Sequence, residues 1–110
     1  MKLSDRYLKI VEWSEEDKCY VGTCPGFFHG GVHGPNEVKV YAELCQAVEE
    51  HIEFSEREGL SLPPPTNREY SGKFMLRVGP SLHKAVAVRA MRVGQSLNAY
   101  CQSVLKAAVL

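Results

Sequence analysis

The sequence predicts an α+β protein in two parts: a small antiparallel sheet covered by one helix, then a β-α-α module that closes its core by dimerisation. Three observations carry this reading. Apolar residues alternate in period two over short stretches near the N-terminus and again over residues 73–78. They recur at helical spacing over residues 36–58 and over two further stretches after residue 80. The balance of charge reverses near residue 70.

In chain order, Tyr7–Trp13 reads as a strand and Cys19–Cys24 as its partner, with Ser14-Glu15-Glu16-Asp17-Lys18 as the turn between them. After Pro25-Gly26, the run Phe27–Gly34 reads as a third strand whose glycines allow a bend or bulge. A helix is expected from an N-cap at Asn36, with Glu37 in its first turn, to about Glu58, where Gly59 stops it. Its apolar face is Val40, Leu44, Ala47, Val48 and Ile52, while Glu43, Glu49, Glu50, Glu53 and Glu56 face water. Leu60-Ser61-Leu62 can add a short last strand, and Pro63-Pro64-Pro65-Thr66-Asn67 has the composition of a stiff connector.

The organisation expected is therefore a first domain over residues 1–62, a linker over 63–71 and a second domain over 72–110. In the second, Lys73–Val78 alternates as a strand and Gly79-Pro80 ends it. A first helix from about Ser81 places Leu82, Ala85, Val86, Ala90 and Val93 on one side, and Gly94 closes it. Ser96 caps a second helix with Leu97, Cys101, Val104, Leu105 and Ala108 as its buried positions.

Composition sets the class of protein. The 110 residues are 45% hydrophobic and 24% charged, close to globular averages. No run approaches the ~18 apolar residues of a membrane span, and Met1–Arg6 lacks the apolar core of a signal peptide, so a cytoplasmic location is expected. Cys19, Cys24, Cys45 and Cys101 form no disulfide framework and are expected to be reduced. The net charge of zero conceals a division: residues 1–70 carry thirteen acidic and seven basic side chains, whereas residues 71–110 carry six basic ones and no acid. A basic half of this kind points to nucleic acid.

A single strand followed by two helices cannot satisfy its backbone or bury its apolar side chains alone. Two copies repair this by pairing their strands antiparallel over four helices. Phe74, Leu76 and Val78 then enter the shared core, and Lys73, Met75 and Arg77 point outward on a ribbon that fits the major groove.

The run Phe74–His83, with Gly94-Gln95-Ser96-Leu97-Asn98-Ala99-Tyr100, resembles the Arc/MetJ ribbon-helix-helix family in the variant found at the C-terminus of HicB antitoxins. The resemblance implies that Lys73, Met75 and Arg77 face the groove. It also implies that Ser96, Leu97 and Asn98 anchor a phosphate at the start of the second helix. Met75 departs from the polar residue common there, which favours contact with a thymine methyl over base hydrogen bonding. The first part resembles the HicB N-terminal domain, a partial ribonuclease H-like fold, on its strand pair, Cys24-Pro25-Gly26-Phe27, the glycine-rich turn to Gly34, the acidic helix and Leu62-Pro63.

That family implies an antitoxin of a type II toxin-antitoxin system. Its first domain blocks a small basic ribonuclease toxin, HicA, and its dimeric second domain binds operator DNA and represses its own operon. Pairing of dimers into tetramers is left open. The rivals are an orphan ribbon-helix-helix transcriptional regulator with no toxin partner, and a metal-dependent nuclease built on the first domain.

No catalytic residue, cofactor or metal is expected. Cys19, Cys24, His29 and His33 are capable of binding metal, but they lack the close first pair of a zinc knuckle, and alternation puts the two cysteines on opposite faces. Asp5, Glu12, Glu15, Glu16 and Asp17 have no spacing that forces the convergence a two-metal nuclease needs. His29, His33, His51 and His83 lack a paired nucleophile or base.

Overall fold

The computed structural model describes residues 1–27 and 31–110. The fold is α+β, with a three-stranded antiparallel sheet and three α-helices, and the chain divides into two units, Met1–Tyr70 and Ser71–Leu110. Among the described residues, no helix is long and apolar enough to cross a membrane.

The sheet is a meander of β1 (Ile10–Ser14), β2 (Cys19–Thr23) and β3 (Val32–Gly34), in that spatial order. Val11 pairs with Gly22 and Trp13 with Tyr20, and the Trp13 and Tyr20 rings meet edge to face at 5.2 Å. Helix α1 (Glu37–Arg57) lies across this face. Gly22 lets it lie close: a Cβ there would stand 3.1 Å from Val40 Cγ1 and 3.2 Å from Leu44 Cδ2, so even Ala would require those side chains to give way by a few tenths of an ångström.

The helix is capped as its sequence suggests. Asn36 Oδ1 accepts from Lys39 N at 3.0 Å. At the other end Gly59 N donates to Glu56 O and Leu60 N to Ser55 O, the paired bonds of a Schellman motif. Val40, Leu44, Val48 and Ile52 are buried at four-residue spacing, and the last three cluster with Tyr7, Cys24 and Phe27. Ala47 lies at the margin, half-buried. Glu49 does more than face water, since Oε1 accepts from Lys2 Nζ at 3.1 Å and Ser4 Oγ at 3.4 Å.

Three local expectations for this unit are corrected. The first strand begins at Ile10, because Leu3–Arg6 winds into a 3-10 turn that swings Tyr7 inward, against Phe27 at 4.6 Å. The third strand is confined to Val32–Gly34. Phe27 belongs to the core, its N–H donating to Cys24 O in a turn, and residues 28–30 of the expected strand lie outside the described residues. Leu60-Ser61-Leu62 forms no strand, because the Leu60 amide is used in closing α1.

The segment that follows is held against the N-terminus. Tyr7 Oη donates to Pro63 O at 2.7 Å, Leu8 N to Thr66 Oγ1 at 2.6 Å and Asn67 N to Arg6 O at 2.9 Å. Thr66 Oγ1 also donates to Arg6 O at 3.3 Å, and these four bonds form a clasp between residues 6–8 and 63–67.

The second unit contains α2 (Pro80–Arg92) and α3 (Leu97–Val109), packed on each other. Gly79 is the N-cap of α2, so the helix starts one residue before Ser81, with Pro80 at a position where its missing N–H costs nothing. Gly94, at φ 72°, takes the left-handed conformation that lets Gln95 N return to Ala90 O at 2.9 Å and end α2. The strand expected over residues 73–78 is not formed: among the described residues this segment joins no ladder. Of the positions expected to be buried on the two helices, Ala90 alone is buried; Val86 and Cys101 are half-buried, while Leu82, Ala85, Val93, Leu97, Val104, Leu105 and Ala108 are exposed.

Candidate nucleic-acid interface

The C-terminal unit places the sequence-derived residues in two groups. Lys73, Met75 and Arg77 lie on the segment leading to α2, interleaved with Phe74, Leu76 and Val78, and all six are exposed in the single chain. The apolar three are 77, 60 and 38% exposed, so exposure falls along the segment towards the start of α2. Ser71 braces its beginning: Lys73 N donates to Ser71 Oγ at 3.1 Å, and that hydroxyl donates to Lys73 O at 3.0 Å.

Ser96, Leu97 and Asn98 form the second group, at the start of α3. Ser96 Oγ accepts from Ala99 N at 3.1 Å, so the hydroxyl serves as the helix cap. An anion at this end would meet backbone amides rather than a free serine. Lys84, Arg89, Arg92 and Lys106 add exposed positive charge on the two helices, with no acidic side chain in the unit to offset it.

The acidic unit holds the residues weighed for other chemistry. Cys24 is buried in the core and burial pushes its thiol pKa up; Cys19 is half-buried at the start of β2, two registers from Val21, which pairs with the exposed His33. His29 lies outside the described residues. Among those described, no group of three His, Cys, Asp or Glu side chains could hold a metal ion. Asp5 accepts from Lys2 N at 2.9 Å, Asp17 Oδ2 accepts from Ser14 Oγ at 3.2 Å, and Glu15 accepts from Lys18 Nζ at 2.7 Å, which holds its carboxyl below the ordinary range. These carboxylates are engaged at separate places. His51 stacks edge to face on Phe27 at 4.8 Å, and His83 is exposed on α2.

An open depression of about 450 Å³ borders the clasp, lined by residues that include Asp5, Tyr7, Lys9, Tyr41 and Thr66. Its one amine is committed to structure: Lys9 Nζ donates to Ser4 O at 2.6 Å and to Tyr7 O at 3.4 Å. The clasp was not anticipated from sequence, where a proline run reads as a free connector. The signal available was the Thr66 hydroxyl after the proline run, since Asn67 takes part through its backbone N–H alone.

The model of the HicB family matches residues 60–105. The match begins where α1 has ended, runs through the clasp and the extended segment, and reaches Leu105 in α3. Over these residues the chain is similar to the HicB family, and they include Lys73, Met75, Arg77, Ser96, Leu97 and Asn98, whereas Lys106 lies just beyond them. No curated protein and no solved structure matches the chain.

Proposed function

We propose that this protein is the antitoxin of a HicA/HicB-like type II system. The acidic first unit blocks a small basic ribonuclease toxin, and the second unit dimerises, binds operator DNA and represses the operon. The observation that carries this reading is the HicB match falling on a unit that is wholly basic and leaves Phe74, Leu76 and Val78 exposed. Pairing two copies of residues 73–78 in a ribbon-helix-helix buries those side chains and satisfies the backbone of both segments. Lys73, Met75 and Arg77 then enter the major groove together, Arg77 as a guanine reader and Met75 against a thymine methyl. The amides of Ser96, Leu97 and Asn98 fix the register on a phosphate. Opposite charge on the first unit and a basic toxin speeds their encounter and favours the correct partner.

The test is binding of the full-length protein to its own promoter and to random DNA at several salt concentrations. Arg77→Ala removes an exposed side chain, so the dimer persists, while specific affinity falls by roughly 2–6 kcal/mol if a contact of ~1–3 kcal/mol is lost in each half-site. Unchanged promoter affinity with the dimer intact rules out the ribbon as the reading element. The antitoxin role is tested separately, by reading the neighbouring frames for a small basic protein and co-expressing it; absence of such a frame counts against the role. Growth inhibition that the full-length protein does not relieve overturns it.

A further inference from the structure

Resting on the antitoxin reading, we propose that the toxin docks on the outer edge of β1, where it adds one extended segment carrying a Lys or Arg opposite Glu12. Among the described residues β1 has a single neighbour, β2, so one side of Ile10–Ser14 is an open sheet edge. Its outward N–H and C=O groups can accept a further strand. The clasp is bonded at Arg6, Tyr7 and Leu8, ahead of Ile10, and among the described residues it makes no hydrogen bond to Ile10–Ser14. The opposite edge is a poorer template, since β3 has only three residues.

Charge selects the occupant. Glu12 is the central residue of β1 and is exposed, and the turn that follows adds Glu15, Glu16 and Asp17 against the single Lys18. A second copy of β1 paired antiparallel about its centre would set Glu12 against Glu12, and like charges directly opposite each other are destabilising. A basic strand reverses that sign. Apolar surface frames the site, with Leu8 53% exposed ahead of β1 and Trp13 48% exposed within it, so side chains flanking the basic residue find a partner. Helix α1 also carries glutamates, but its backbone groups are used internally and it offers charge alone.

The experiment uses the full-length protein and, as probe, a small basic ribonuclease identified in a neighbouring reading frame, carrying a substitution that removes its nuclease activity; absence of any such frame overturns both this proposal and the antitoxin reading. Glu12→Lys is expected to weaken binding by at least about tenfold, as attraction across the new ladder becomes repulsion, with the circular dichroism spectrum unchanged. Glu53→Lys makes the same change of charge on α1 and is expected to weaken binding much less. In the native complex, amides of alternate residues within Ile10–Ser14 are expected to exchange more slowly. Equal binding by native and Glu12→Lys proteins, equal losses in the two variants, or slowed exchange confined to α1 overturns the proposal while leaving the antitoxin reading standing. Failure of the native chain to bind this partner at all overturns both.

Discussion

The two units solve the problem of a small core in opposite ways. In Met1–Tyr70 one helix of 21 residues covers a three-stranded sheet, and the side chains at their interface are buried within a single chain. In Ser71–Leu110 two helices of 13 residues shield only Ala90 completely and leave Phe74, Leu76, Val104 and Leu105 in water. A chain of about 40 residues rarely has enough interior to be stable alone. Under the proposed function a second copy covers these side chains, which would tie DNA binding to oligomerisation. One half would then have a stability set by its own sequence and the other a stability that depends on protein concentration.

Core truncation exposes that difference most sharply. Leu44 is fully buried, and Leu44→Ala is expected to destabilise the first unit by ~2–5 kcal/mol at every protein concentration. Leu76 is largely exposed in one chain, so Leu76→Ala costs little in a monomer. In a dimer it removes a buried side chain from each copy, and the loss appears as a fall in melting temperature that steepens on dilution. Urea melts of both variants across a hundredfold range of concentration distinguish the two behaviours. Concentration-independent melts for native and Leu76→Ala proteins alike break the comparison.

The second test concerns where the first unit ends. A fragment ending at Leu62 lacks the four clasp bonds made by Pro63, Thr66 and Asn67, whereas one ending at Tyr70 retains them. At ~0.5–1.5 kcal/mol for each net bond, with partial compensation by water, the longer fragment is expected to be more stable by on the order of 1–3 kcal/mol. Identical denaturation midpoints would show the clasp to be energetically idle, and residues 63–71 a connector in the full sense.

Much of this contrast is legible in the sequence, and the rest is hidden for physical reasons. Helix α1 announces itself because Val40, Leu44, Val48 and Ile52 repeat at four residues between a capping Asn36 and a terminating Gly59. Ser96 and Gly94 mark their helix ends in the same local way. Tyr7 misleads, because alternation cannot distinguish the start of a strand from an aromatic turned into the core by a preceding 3-10 turn. Leu60-Ser61-Leu62 misleads for a related reason: strand-like composition says nothing about whether the first amide is already used in closing a helix. In the candidate interface, the alternation of Lys73–Val78 is readable, but the segment pairs with no strand among the described residues. Glu12 is an unremarkable strand residue until topology places it on an edge.

Helix caps give a smaller contrast. Asn36 and Ser96 make equivalent bonds, to Lys39 N at 3.0 Å and to Ala99 N at 3.1 Å. Replacement of either by Ala is expected to cost ~0.5–2 kcal/mol of stability. Their effects on DNA should differ. Ser96→Ala disturbs the amides that meet a phosphate and weakens promoter and random DNA alike, whereas Asn36→Ala, in the acidic unit, leaves both unchanged when the protein is fully folded. Equal losses of DNA affinity in the two variants would mean that Ser96 acts only through folding.

The smallest expected effect is a loss of stability in alkali that belongs to the first unit. Burial raises the pKa of the Tyr7 phenol and of the Cys24 thiol, because in each case the charged form would have to sit in the core. The folded state therefore holds these protons more tightly than the unfolded state does. Their contribution is complete below the unfolded values, about 8.5 for a thiol and about 10 for a phenol, and is lost as pH rises through the higher folded ones. Stability of the first unit should accordingly decline from about pH 8.5 upward, first through Cys24 and then through Tyr7. Tyr7→Phe separates the two contributions. It removes the phenol and with it the 2.7 Å bond to Pro63 O, at a cost of ~0.5–1.5 kcal/mol near neutral pH. The variant should then lose less stability than the native protein between about pH 10 and 11, since one of the two titrating groups is gone. Urea midpoints measured from pH 7 to 11 give the comparison directly, and parallel curves for the two proteins across that interval would show that Tyr7 takes no part in the alkaline transition.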